Sequence, residues 1–70
     1  MKEVLIETET INLDQFLKWS GVISTGGEAK FVIAEGNVKV NGVIETKRSR
    51  KLKTSDVVEL GGHRLVVVRR

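Results

Sequence analysis

Glu35-Gly36-Asn37-Val38-Lys39-Val40-Asn41-Gly42 ends one helix, carries a strand and folds it back as a hairpin. Gly36 has no Cβ and so takes the left-handed conformation that closes a helix. Val38 and Val40 alternate with Lys39 at the two-residue period of a strand with one buried face. Asn41-Gly42 suits a type I′ turn, in which both central residues have positive φ, and Val43 to Glu45 forms the return. Beyond that corner, Lys47, Arg48, Arg50, Lys51 and Lys53 fall within seven residues that contain no acid, five of the twelve Lys and Arg of the chain. This local concentration suits polyanion contact better than the net charge of +3 implies.

Upstream of Glu35 the pattern has the period of a helix. Leu13, Phe16, Leu17 and Ser20 stand at i, i+3, i+4 and i+7, so one stripe is apolar while Asp14, Gln15 and Lys18 point outward. Asn12 is placed as an N-cap with Gln15 three residues on, Ile11 can staple onto Phe16, and Gly21 ends the helix. Thr25-Gly26-Gly27-Glu28 is a capping-box pattern that opens a second helix, with Ala29, Val32 and Ile33 inside, Lys30 outside and Gly36 at its end. Lys2 to Thr8 alternates as a strand with Val4 and Ile6 on one face and Leu5 on the other. Asp56 to Leu60 and His63 to Val68 form a second hairpin around Gly61-Gly62. Two capped helices followed by hairpins predict an α+β domain, with the helices on one side of a small, mainly antiparallel sheet.

Composition narrows the function. Seventy residues make a single domain, residues 1–70, able to bury roughly 60% of its unfolded surface. Charged residues are 30% and apolar residues 40%, the balance of a folded domain, with no linker, repeat or proline. The absence of cysteine excludes disulfides and thiolate chemistry, and a single His63 argues against a metal site or cofactor. No apolar run approaches the roughly 18 residues of a membrane span, and Met1 to Thr10 lacks a signal-peptide layout. A cytoplasmic monomer without catalytic activity is expected, since one histidine, no cysteine and no tyrosine leave no positioned acid–base or nucleophilic set.

The order Leu13-Asp14-Gln15-Phe16-Leu17, then Glu28-Ala29-Lys30, then Gly36-Asn37-Val38-Lys39-Val40-Asn41-Gly42 resembles the α-L RNA-binding domain named after small-subunit ribosomal protein S-four, from about Ile11 to Leu60. It resembles in particular the stand-alone bacterial members of the YaaA/YbcJ type, where a loop like Ser24-Thr25-Gly26-Gly27 opens the second helix. The resemblance implies an alpha-L RNA-binding fold that binds structured RNA, such as ribosomal or transfer RNA, without catalysis. It also implies an RNA-facing surface on which relatives often carry Arg where this chain has Asn12 and Gly26. Each missing cation removes a possible phosphate contact, for which the segment from Lys47 to Lys53 compensates in this reading.

The candidate contact residues are therefore Asn12, Lys18, Thr25, Gly26, Gly27, Lys30, Lys39, Asn41, Lys47, Arg48, Arg50, Lys51 and Lys53. Each has a plainer role beside the functional one. Gly26 and Gly27 can admit a phosphate to the helix-start amides or serve a tight reversal of the chain. Asn37 and Asn41 are turn formers first, and Lys18 stands four residues from Asp14, a pair worth about 0.3 kcal/mol. The basic run reads as a mobile loop, or as lysines guarding a sheet edge. RNA contact requires Lys30 and Lys39 to meet the 47–53 segment on one exposed ridge, with the acids Glu3, Glu7 and Glu9 elsewhere. Trp19 and Phe31 fall off the inner stripes, with packing against a terminal strand preferred over stacking on a base. The alternative function is a protein-interaction module on the same scaffold, which would bind through Trp19, Phe31 or a sheet edge and tolerate salt.

Overall fold

The computed structural model describes residues 1–70, and the Asn41–Gly42 corner turns as the sequence predicts, with φ of 52° at Asn41 and 84° at Gly42. The strands are β1 (Lys2–Ile6), β2 (Ile11–Asn12), β3 (Val38–Val40), β4 (Val43–Ile44), β5 (Lys51–Leu52), β6 (Val57–Leu60) and β7 (His63–Arg69). The helices are α1 (Leu13–Trp19) and α2 (Gly26–Ala34). A five-stranded sheet runs β1-β7-β6-β3-β4, and β2 with β5 makes a separate two-stranded ribbon. Every pairing is antiparallel except β1 with β7, which runs parallel from Lys2 opposite Leu65 to Ile6 opposite Arg69. The parallel pair and the small ribbon were not expected from the sequence.

The core sits between one face of the sheet and the two helices. Alternation puts Val4, Ile6, Val38, Val40, Val58, Leu65 and Val67 inward, where they meet Leu13, Phe16 and Leu17 of α1 and Ala29 and Ile33 of α2. The predicted α1 stripe is thus buried, Ser20 included, and so are Ala29 and Ile33 of the α2 stripe, whose Val32 is partly buried. Burying each large side chain of this set contributes roughly 1.5–3 kcal/mol. Gly36 closes α2 at φ 78°, with the Gly36 and Asn37 amides donating to the Ile33 and Val32 carbonyls at 3.1 Å each, a Schellman arrangement. The Lys2 ammonium reaches the Ser20 carbonyl at the C-terminal end of α1 (3.0 Å), where a cation complements the helix dipole. No helix is long and apolar enough to cross a membrane.

Candidate nucleic-acid interface

A helix begins with amides that have no partner inside it. At the start of α1 the sequence assigns Asn12 to cap them, but Asn12 makes no side-chain capping bond. The capping groups are main-chain carbonyls of the basic segment: Leu13 N–H donates to Arg50 O (2.9 Å) and Asp14 N–H to Arg48 O (3.1 Å). The Asn12 side-chain oxygen instead accepts from the Lys51 ammonium at 2.9 Å. Directly beside this contact β5 pairs with β2, Ile11 opposite Leu52 and Asn12 opposite Lys51. Leu52, alone among cations, is fully buried. The expectation of a mobile loop is therefore corrected, because this segment is clamped by backbone bonds and an apolar anchor.

The expectation of an acid-free surrounding is corrected as well. Glu45 meets the Arg50 guanidinium at 2.7 Å and accepts the Lys47 amide at 3.2 Å. The Arg50 hydrogen bond, followed by the Lys47 N–H, holds the Glu45 carboxyl below its ordinary pKa. A lowered folded value means that the contribution of this group to stability is present above the ordinary glutamate pKa of about 4.3 and is lost as pH falls through the folded value. Arg50 is thus the one cation of the segment held by an ion pair. Lys47, Arg48 and Lys53 are exposed with no side-chain partner, and Lys51 touches only the neutral Asn12.

The far end of α1 meets the start of α2. Thr25 Oγ1 accepts the Glu28 N–H at 3.1 Å, the forward half of the predicted capping box. A Cβ at Gly26 would lie 3.9 Å from Cδ of Lys18, and one at Gly27 would meet nothing within 4 Å. The Lys18 stem therefore lies along an open helix start. Its predicted pair with Asp14 does not form, and the Asp14 carboxylate accepts the Gln15 N–H at 2.8 Å. Lys30 is exposed on α2 beside buried Ala29. Lys18 thus lies against the start of α2 near one end of α1, while Asn12 and the basic segment sit at the other end, the seven residues of α1 spanning about 10 Å.

Two predicted residues stand apart from this line. Lys39 lies between buried Val38 and Val40 and opposite Glu59 of β6, so it faces away from the helices, on the outer side of the sheet. The ridge expected to unite Lys39 with the 47–53 segment is corrected accordingly. Asn41 is held in the fold, with its amide donating to Asp56 Oδ1 (3.1 Å) and its side-chain oxygen accepting from Val57 N–H (2.9 Å). Asp56 also accepts the Lys53 N–H at 2.9 Å, which fixes the far end of the basic segment. Asn41→Ala removes both side-chain bonds and puts a Cβ residue of lower tolerance at positive φ, so a loss of about 2 kcal/mol is expected in urea unfolding. The salt dependence of any polyanion binding is expected to stay unchanged, and a reduced slope would show Asn41 to be a contact residue instead.

The aromatics divide. Trp19 is tied to the N-terminal strand as preferred, its indole N–H donating to Leu5 O at 2.7 Å, yet it remains 61% exposed. Phe31 stands 63% exposed on α2. Sequence reasoning missed Glu45 and Leu52 as the residues that orient the basic segment. The available signal was a lone leucine inside a run of cations.

Three relatives are similar to this chain in sequence. The chain is 48% identical over 59 residues to the Bacillus subtilis protein named as a probable ribosome maturation protein, RlbA, covering 84% of this chain and 83% of that one. It is 40% identical over 58 residues to YbcJ of Escherichia coli, covering 83% of each. The solution structure of YbcJ, described as revealing an alfaL motif involved in RNA-binding, superposes with a TM-score of 0.75 at 35% identity, over 97% of this chain and 87% of that one. The RQC P-site tRNA stabilizing factor of Streptococcus pneumoniae is 40% identical over 60 residues, 84% of this chain and 67% of that one. With helices, hairpin corner and sheet arranged as in the YbcJ structure, and with the S4 domain model matching residues 4–68, this chain belongs to the S4 domain family.

Proposed function

We propose that this protein is a cytoplasmic, monomeric, non-catalytic RNA-binding protein that recognises structured RNA, ribosomal or transfer RNA, through the basic surface along α1. The observation that carries the reading is the clamped segment whose Lys47, Arg48, Lys51 and Lys53 have no acidic partner. Cations on a fixed backbone lose side-chain but not backbone entropy on meeting phosphate, so they favour a defined backbone path over a flexible polyanion. Lys18, Lys30 and the Thr25-Gly26-Gly27 start of α2 extend the surface, and Asn12 orients Lys51. Arg50 keeps further donors beyond its bond to Glu45. The names of RlbA, YbcJ and the tRNA stabilizing factor support RNA as the partner. A-form helices hide their base edges in a narrow major groove, so shape and backbone contact are what such a surface reads.

Titration with structured RNA at two salt concentrations tests this. With the four free cations each neutralising a phosphate, log affinity is expected to fall with log salt at a slope of about −3. Affinity that survives the salt increase, with a stoichiometric protein partner instead of RNA, would favour the interaction-module reading.

A further inference from the structure

An open groove of about 540 Å³ runs beside this surface, lined by Thr8, Thr10, Ile11, Gln15, Lys18 and Trp19. Its size falls within the roughly 300–1,000 Å³ of clefts that hold small molecules. From these residues we infer that the groove is a subsite for one unpaired RNA base, stacked on Trp19 with its phosphate at Lys18. The inference rests on the RNA-binding reading and adds an element to it, the capture of a splayed-out nucleotide beside a backbone track.

Five observations converge on it. Trp19 exposes 61% of its surface in a domain that buries every other core-sized residue of α1. Its orientation is fixed before any ligand arrives, because the indole N–H is engaged by Leu5 O at 2.7 Å. A fixed, exposed π-face is what base stacking uses, and it is tolerant of base identity. Gln15, on the same groove wall, offers an amide donor and a carbonyl acceptor to a base edge. Lys18 belongs to the groove and also lies along Gly26 at the open start of α2, so a single cation joins the stacking platform to the helix-start amides. The groove wall carries no carboxylate; Glu7 lines the adjoining hollow on the Ile6 side. An apolar protein segment would leave Lys18, Gln15 and both threonines without partners, whereas a nucleotide matches the mix of one ring, one cation and polar groups.

Trp19 is the only tryptophan of the chain, so its fluorescence reports the site directly. The probes are a short RNA hairpin with an adenosine-rich loop and a blunt duplex with the same stem. The hairpin is expected to quench Trp19 emission and to bind about tenfold tighter than the duplex, the scale of one stacked base. Trp19→Ala is expected to bring the two affinities within about twofold of each other. Trp19→Phe loses the bond to Leu5 O but keeps a ring, and is expected to retain most of the preference, which separates stacking from a merely structural role. Unchanged emission on hairpin binding, or a preference that persists in Trp19→Ala, would overturn the inference while salt-dependent RNA binding stands. Failure of both RNAs to bind the unaltered protein would overturn the RNA reading and the subsite with it.

Discussion

Leu52→Ala is expected to lower the unfolding free energy by about 3 kcal/mol, within the 2–5 kcal/mol typical of emptying a buried leucine site. Leu52 is fully buried and belongs to the single core cluster, while both of its chain neighbours are exposed lysines. A domain of this length holds roughly 4–10 kcal/mol in total, so the loss is a large share of its stability. The midpoint of thermal unfolding is expected to fall by about 12–24 °C, read by circular dichroism. The same change has a functional arm. Leu52 fastens β5 to β2, and that ribbon holds the Arg48 and Arg50 carbonyls over the first amides of α1. Loosening it frays the helix start and releases the cations, so RNA affinity is expected to fall although no charge is altered. A midpoint within about 4 °C of the unaltered protein would show that the segment is not anchored through this side chain.

The second large effect comes from charge. Reversing Lys47, Arg48 and Lys51 together to glutamate removes three of the four cations of the 47–53 segment that lack an acidic partner. Each neutralised phosphate contributes a slope of about 0.7–0.9 in log affinity against log salt. Three lost contacts therefore remove about two units of slope, and at ~0.1 M salt weaken binding by at least about 100-fold. Repulsion between the new carboxylates and phosphate adds to this. None of the three side chains is buried, so the stability of the fold is expected to change little. Isotherms at several salt concentrations separate the two quantities, and an unchanged slope would move the interface off this segment altogether.

What could be read in the sequence was what depends on near neighbours. The helical stripes of Leu13, Phe16 and Leu17 and of Ala29 and Ile33, the Gly36 closure, the Asn41-Gly42 turn and the Thr25 cap each involve residues a few positions apart. Their chemistry is local, so spacing alone reveals it. The ribbon of β2 and β5 was not legible, since strands of two residues are too short to display alternation. Nor was the capping of α1, because carbonyls from a distant segment leave no side-chain signature in the sequence. Asn12 occupied the right place for a cap and was recruited by Lys51 instead. The surface was legible in composition but not in direction: Lys39 and Lys18 look alike in the sequence, and the sheet sends Lys39 to the other side of the molecule.

The position of β7 between β1 and β6 bears on how the sheet assembles. β1 lies at the edge of the sheet with β7 as its only strand partner, Lys2 standing opposite Leu65. The hairpins can close early, since they join residues close in the chain, whereas a pairing between such remote segments must overcome the full entropy of loop closure. The burial of Val4 and Ile6 is thus tied to the pairing with the largest sequence separation in the sheet, and the seating of β1 carries the largest loop-closure cost of the fold.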